Sequence, residues 1–402
     1  MAVLKFDQAR ESVIEQVRLG RRLAAPETLS LLESAGRVLA EPVSADRDLP
    51  PFHRSTRDGY AVRSADTEQL PTRLRLRGQV KAGASFSGTV GPQECVEIMT
   101  GAPVPDGADA VVMVEHTASQ EEWVEVRRGV APRENVVPRG SEARRGDCLV
   151  PAGRRIGYSE VGMMAAVGKQ DVTVYRRPRV AILPTGDEVV ELGVAPGPYQ
   201  IRNSNSLSLQ VQVASAHCVP EALGIAPDRE DRLREMISEG LRADLLLLSG
   251  GVSAGKYDLV EKVLGELGAE FFFDGVAIQP GRPLVFGRAK GTFFFGLPGN
   301  PLSTMVTFEL FVRPALALLS GEDAAPLIFL GARLARDVRR KPGLAAFLPA
   351  LLEGRGHDPL VSPVEWKGSG DLASLNRANG YLAIPEHAEE LRAGEWVSVL
   401  PR

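Results

Sequence analysis

The chain has 402 residues, 44% of them hydrophobic and 24% charged, with a formal net charge of −4. That length exceeds one ordinary core and calls for about two to three domains, while the slightly acidic balance gives no basis for gripping nucleic-acid phosphates. Three widely spaced cysteines, Cys95, Cys148 and Cys218, form neither a metal-ligand pair nor a disulfide framework, so a cytoplasmic protein with three buried thiols is expected.

The N-terminus is amphipathic: Phe6, Ala9, Val13, Ile14 and Val17 share one helical face. Its charged start, MAVLKFDQARESVIEQV, is unlike a secretory signal. A second helix is predicted over about 27 to 40. After Pro50-Pro51 the chain breaks into short β-type runs punctuated by Gly and Pro (YAVRSAD, LRLRGQV, ECVEIM, ADAVVMVEH, EWVEVRRGV), an all-β module over roughly 46 to 145. Helical character returns at YSEVGMMAAVG.

From RRPRVAILPTGDEV onward strands and helices alternate. Strands are predicted at 180–183, 219–224 and 244–249, and helices at 207–216, 229–240 and 258–267. Short apolar runs, LVFG and TFFFG, precede a helix from Pro301 to about Leu319. Such alternation predicts a parallel sheet covered on both faces. After LLSGEDAAP the chain turns β-like to its end. The expected fold class is multi-domain α/β plus β. Residues 1–176 form an N-terminal mixed helical and β region with the inserted module, 177–322 a three-layer α/β/α domain with a parallel-type sheet, and 326–402 a small C-terminal β domain. No apolar run approaches the roughly 20 residues of a membrane span.

Four loops leave the carboxyl ends of predicted strands, where such sheets bind ligands. LPTGDE (183–188) places Asp187 and Glu188 beside an expected helix start, and GIAPD (224–228) ends in Asp228. SGGVSAGKYD (249–258) is poor in side chains, and GLPGNP (296–301) sets Asn300 to cap a helix with Pro301 at its first position. Glycines let a ligand reach the main chain, and exposed N–H groups at a helix start favour anions. The last two loops therefore read as an anion cradle. The acidic loops would hold hydroxyls or a metal, and magnesium suits this mixture because it takes one or two carboxylates plus phosphate oxygens. Singly, each loop is also a plain turn, a pair of helix-dipole charges or a connector; four on one sheet edge favour a site.

Gly250-x-x-x-x-Gly255-Lys256 matches a P-loop until Tyr257, which stands where a hydroxyl would ligate magnesium. No Walker-B strand follows, and the dinucleotide fingerprint fails on spacing. His53 and His217 are isolated, so catalysis is expected to run on carboxylates and backbone.

TGDE, SGGVSAGKYD, QPGRP and FGLPGNPLS, in this order, resemble the molybdopterin-binding fold. STRDGYAV (55–62) and IMTGAPVPDGAD (98–109) resemble the molybdopterin molybdenumtransferase family, related to the E domain of gephyrin. KGSGDLASLNRANGY (367–381) resembles that family's last domain, so the likeness spans essentially the whole chain. It implies that adenylylated molybdopterin and molybdate are bound, that the pyrophosphate link is hydrolysed with Mg2+, that molybdenum enters the dithiolene and that AMP leaves. The implied catalytic residues are Asp58, Glu188 and Asp258. Substrate binding falls to Thr100, Asp228, Ser249, Gly250, Gly251, Ser253, Arg282, Pro298, Gly299, Asn300 and Ser369, and metal binding to Asp58, Asp187 and Glu188. The implied assembly is an elongated homodimer with its site near the subunit interface, where Asp58 and Thr100 approach the partner subunit's Glu188. The implied partners are small-molecule substrates and the molybdopterin adenylyltransferase, with no nucleic acid and no membrane.

The chain departs from the family in places. Gln279 and Arg282 stand where relatives often carry lysine, so one anion-binding charge is lost and another becomes a bidentate fork. Leu344 and Pro349 stand where arginines are common. A non-catalytic molybdopterin-binding carrier or scaffold is the alternative; the additional domain and long linker of gephyrin-type scaffolds have no counterpart in this sequence.

Overall fold

The structure is a computed structural model that describes residues 3–251, 259–354 and 357–402. The chain divides into two compact units, one built from residues 1–29, 36–40 and 173–402, the other from residues 30–35 and 41–172.

The first unit is organised by a six-stranded sheet in the order Val219–Ala222, Arg179–Pro184, Leu245–Ser249, Thr292–Leu297, Val285–Ala289, Glu270–Phe273. The first four strands are parallel. The side chains of the last three of these, Arg179–Pro184, Leu245–Ser249 and Thr292–Leu297, alternate between two apolar cores, as strand geometry demands. Val180, Ile182, Leu245, Leu247, Phe293 and Phe295 enter one core. Ala181, Leu183, Leu246, Leu248 and Phe294 enter the other. Burial on both faces explains why these strands read as continuous apolar runs. The other edge differs from the predicted parallel sheet: Val285–Ala289 runs antiparallel to both of its neighbours. Only Lys290 and Gly291 separate it from Thr292–Leu297. A turn that short makes a hairpin and cannot carry a crossover.

Helix Phe6–Gly20 packs on the first core through Ala9, Val13 and Val17, with Phe6 and Ile14 half-buried beside them. Its buried Arg10 donates to the carbonyls of Leu310 (2.8 Å) and Ala325 (3.0 Å), tying the N-terminus to residues 300 positions away. The helix predicted at 27–40 does not form. Pro26–Ser30 is a strand followed by turns, Ser34 bonds back to the carbonyl of Leu31, and Gly36 sits at φ 77°. Local serine bonding and a left-handed glycine both compete with a helix.

Pro301–Leu319 is one helical run with a π segment at Phe308–Val312. It is long and apolar enough to cross a membrane, but 78% of it is buried within the unit, which makes it a core helix. Beyond it, Leu330–Leu334, Ala345–Glu353, Leu360–Pro363, Gly380–Ile384 and Trp396–Pro401 pair in a closed ring around Leu334, Val361, Leu382 and Val399. Closure leaves that five-stranded ring without a free edge.

The second unit holds another six-stranded sheet, in the order Ala110–Met113, Gly59–Val62, Glu94–Ile98, Thr72–Val80, Trp123–Val126, Thr117–Gln120. Helix Tyr158–Ala166 lies C-terminal to it in sequence. Cys95 is buried in this unit, and burial pushes its thiol up to about 12. Cys218 of the first unit is buried too, whereas Cys148 is exposed at the start of the short strand Cys148–Val150, contrary to expectation.

Candidate functional site

Register decides where the loops emerge. Pro184 pairs with Ser249, and Ser249 with Leu297, so three parallel strands end level. The loop at 224–228 joins them: Ala226 donates to the carbonyl of Pro184 (2.9 Å) and Gly186 to that of Ala226 (3.2 Å). All four loops singled out from the sequence thus leave one edge.

In the first loop, Gly186 adopts φ 124°, and the Glu188 carboxylate occupies the space that a Cβ at 186 would take. No helix follows. Val189–Val190 is a short strand, so Asp187 and Glu188 are not helix-dipole charges as the sequence implied. Asp187 Oδ1 accepts the backbone N–H of Asp228 (3.1 Å), which brings the two acidic loops together. Helix Glu230–Gly240 takes Arg229 as its N-cap residue, so Asp228 is not its cap.

The glycine loops meet as well. Gly250 and Gly251 have φ of 92° and 64°, and a Cβ added to Gly299 would stand 3.5 Å from Gly250 Cα. Bare main chain therefore faces bare main chain. Asn300 occupies the N-cap position before Pro301, but its side chain makes no capping bond. The Pro298 carbonyl is held by the Thr304 hydroxyl (2.5 Å). Leu302 donates to the carbonyl of Ser369 (3.0 Å), which brings Ser369 to this helix start.

Two residues passed over in the sequence belong here. Asn205, in the first turn of helix Ser204–Ser215, donates through Nδ2 to Ser249 Oγ (2.9 Å) and to the Gly299 carbonyl (2.7 Å). Thr185 is buried beneath the glycine bend. A small pocket lined by Thr185, Glu188, Asn205, Ser249, Gly250 and Gly299 is the centre of the arrangement. An asparagine in the first turn of a helix resembles a capping residue in sequence, and nothing local marks it otherwise.

Ser253 and Asp258 fall outside the described residues. Arg282 is exposed after Gly281, which packs against Thr307 in the helical run begun by Pro301. Asp58 and Thr100 belong to the second unit and form their own pair there: Asp58 Oδ1 accepts both the N–H (2.6 Å) and the hydroxyl (3.0 Å) of Thr100.

Among the described residues, no group of three or more His, Cys, Asp or Glu side chains gathers to enclose a metal. A dedicated protein cage is therefore not what the described parts of these loops offer. Asp187 and Glu188, adjacent in sequence, offer the one or two carboxylates that magnesium takes, the rest of its ligands being waters and substrate phosphates. A groove of about 650 Å³, lined by Phe6, Phe347, Ile384 and Trp396, is roomier but includes none of the predicted site residues. Volume alone does not mark the site.

Three family models match the chain. One is described as the MoeA N-terminal region (domain I and II), over residues 4–168; one as a probable molybdopterin binding domain, over 181–318; and one as the MoeA C-terminal region (domain IV), over 331–401. A Bacillus subtilis protein named molybdopterin molybdenumtransferase is 33% identical over 383 residues, covering 93% of this chain and 89% of its own length. A Haemophilus influenzae protein of the same name is 32% identical over 404 residues, covering 99% and 98%. A crystal structure of the molybdopterin biosynthesis moea protein from Pyrococcus horikosii matches with a TM-score of 0.76 at 34% identity, over 100% of this chain and 99% of that one.

Proposed function

Because this chain belongs to the molybdopterin molybdenumtransferase family, we propose that it carries out the following reaction. It takes adenylylated molybdopterin and molybdate, cleaves the pyrophosphate link with water so that AMP leaves, and places molybdenum on the dithiolene. The observation that carries this reading is the meeting of the glycine loops at Gly250 and Gly299 beside a helix start. Main-chain N–H groups with no side chains in the way suit a phosphate-bearing pterin.

Ser249, Gly250, Gly251, Pro298, Gly299 and Asn300 hold the phosphate end, and Ser369 lies against the same helix start. Asp187 and Glu188 would hold Mg2+, with Asp228 fixing Asp187 through its backbone N–H. Bound there, the ion would supply Lewis-acid neutralisation of the phosphate charge. Glu188 orients water and oxyanion from the pocket wall. Asp58, ionised and fixed by Thr100, is a further carboxylate of the reaction. Arg282 adds a cationic fork for the anionic substrate. The enzyme acts in the cytoplasm as a homodimer and receives its substrate from the molybdopterin adenylyltransferase. The exposed apolar residues Tyr199, Ile201, Leu207 and Val211 favour self-association.

The test is AMP release from adenylylated molybdopterin, with magnesium, with and without molybdate, for wild type and Glu188→Ala. Molybdate-dependent release that is lost in Glu188→Ala is the expected result. Binding without release under any condition would leave a carrier and overturn the enzyme reading.

A further inference from the structure

Asn205 does two things that an ordinary first-turn residue does not. Its single amide nitrogen bonds to Ser249 Oγ at 2.9 Å and to the Gly299 carbonyl at 2.7 Å. Those partners sit at the ends of adjacent strands, on the two loops that present bare glycine backbone. One side chain thereby sets the gap across which Gly250 and Gly299 face each other. The Gly299 carbonyl is only an acceptor, so the amide cannot be turned over; Nδ2 must face it. Oδ1 is then committed to the opposite direction.

In that direction Asn205 Oδ1 is buried and has no hydrogen-bond partner. The Thr185 hydroxyl is in the same state. Both residues line the small pocket with Glu188, Ser249 and Gly250. Thr185 is 1% exposed, and a Cβ on Gly251 would stand 2.7 Å from its Oγ1. Buried polar atoms are nearly always paired, and an unpaired one costs free energy in the fold. Two such atoms in one pocket, one of them on the side chain that ties the pocket's loops together, call for a common cause.

We propose that Asn205 and Thr185 are substrate-binding residues, Asn205 fixing the spacing of the two glycine loops while Asn205 Oδ1 and Thr185 Oγ1 are completed by hydrogen bonds with the bound ligand. Oδ1 requires a donor, an N–H or O–H, and Oγ1 accepts or donates. A phosphate alone offers Oδ1 nothing when ionised. The ligand at this point is therefore a phosphate ester whose organic part carries amine or hydroxyl donors, as an adenylylated pterin does. The inference rests on the reading of the site given above.

For Thr185, stability and binding are expected to move independently. Thr185→Val keeps the volume and removes the orphaned hydroxyl, so the melting temperature stays level or rises. Affinity for adenylylated molybdopterin falls about tenfold, the size of one lost hydrogen bond. A merely structural threonine could not yield a protein that is as stable yet binds more weakly. Asn205→Asp keeps the size and loses the N–H donors, setting a carboxylate against the Gly299 carbonyl. It is expected to weaken binding more than tenfold, with KM rising further than kcat falls. Dissociation constants are measured on the full chain without molybdate, independently of turnover, and wild-type AMP release is followed in parallel. Wild-type binding with both variants within twofold of it would overturn the inference alone. No wild-type binding would sink the site reading and this inference with it.

Discussion

Thr100 gives Asp58 both its main-chain N–H and its hydroxyl, at 2.6 and 3.0 Å, on the same carboxylate oxygen. Both bonds favour the ionised form, the backbone N–H more than the hydroxyl, and together they hold the Asp58 carboxyl below the usual aspartate range. A depressed folded-state value means that the pair's stabilisation is complete above the unfolded aspartate value of about 4. It is lost as pH falls through the folded value.

Thr100→Val removes only the hydroxyl. Asp58 then titrates at higher pH than in wild type, and the variant loses stability earlier on acidification. The two proteins converge once Asp58 is protonated in both. Carboxyl carbon NMR of Asp58 against pH, with parallel thermal melts, checks this. An unmoved Asp58 midpoint in Thr100→Val would remove the hydroxyl from the account.

Gly250 and Gly299 face each other but do not tolerate change equally. Gly250 has φ 92°, and a Cβ there would lie 2.8 Å from the Thr185 carbonyl. Gly250→Ala is expected to cost about 1–3 kcal/mol, from left-handed strain and overlap. Gly299→Ala meets only an ordinary contact, so stability should change by less than about 1 kcal/mol. The added methyl nevertheless narrows the cradle and raises KM. Urea unfolding and steady-state kinetics on both variants separate the two effects, and a Gly250→Ala protein as stable as wild type would refute the strain argument.

Phe286 anchors the first core, its ring stacked on Phe295 at 4.6 Å and Phe293 at 5.8 Å, with Phe273 at 5.7 Å. Phe286→Ala should destabilise that unit by about 3–5 kcal/mol. Phe286→Leu should cost much less, because it leaves a smaller cavity. Denaturant midpoints followed through the first unit's transition give the comparison. Equal losses for the two variants would mean that the site repacks freely.

Arg282 is exposed, and removing it should leave stability within about 0.5 kcal/mol. If it serves the anionic substrate, Arg282→Ala raises KM about tenfold, the equivalent of roughly 1.4 kcal/mol. Arg282→Lys should recover part of that through charge without the fork. Kinetics for both, with melting curves as control, decide it. A KM unchanged in Arg282→Ala would place the guanidinium outside the site.

Much of the architecture was written in the residues themselves. Leu245–Leu248 and Phe293–Phe295 are apolar without interruption because strands buried on both faces have no solvent side to mark. Glycine and proline at the strand ends located the loops, because few other residues make such turns. Where local preference and the fold disagreed, the sequence misled. The stretch at 27–40 has helical composition, yet it forms a strand and turns. Val285–Ala289 reverses direction because of a two-residue connection, and Cys148 lies exposed on a short strand whose third residue, Val150, is buried.

The chain alone thus determined the buried central strands of the sheet, which loops are bare of side chains and where the carboxylates lie. Those properties depend on periodicity and backbone freedom, which are local. Register across the sheet was decided only by folding: it levels Pro184, Ser249 and Leu297, lets Asn205 reach two loops at once, and leaves its Oδ1 and the Thr185 hydroxyl buried without partners. Hydrogen bonds between residues 44 and 94 positions apart have no signature in sequence spacing, because their geometry exists only once the strands have paired.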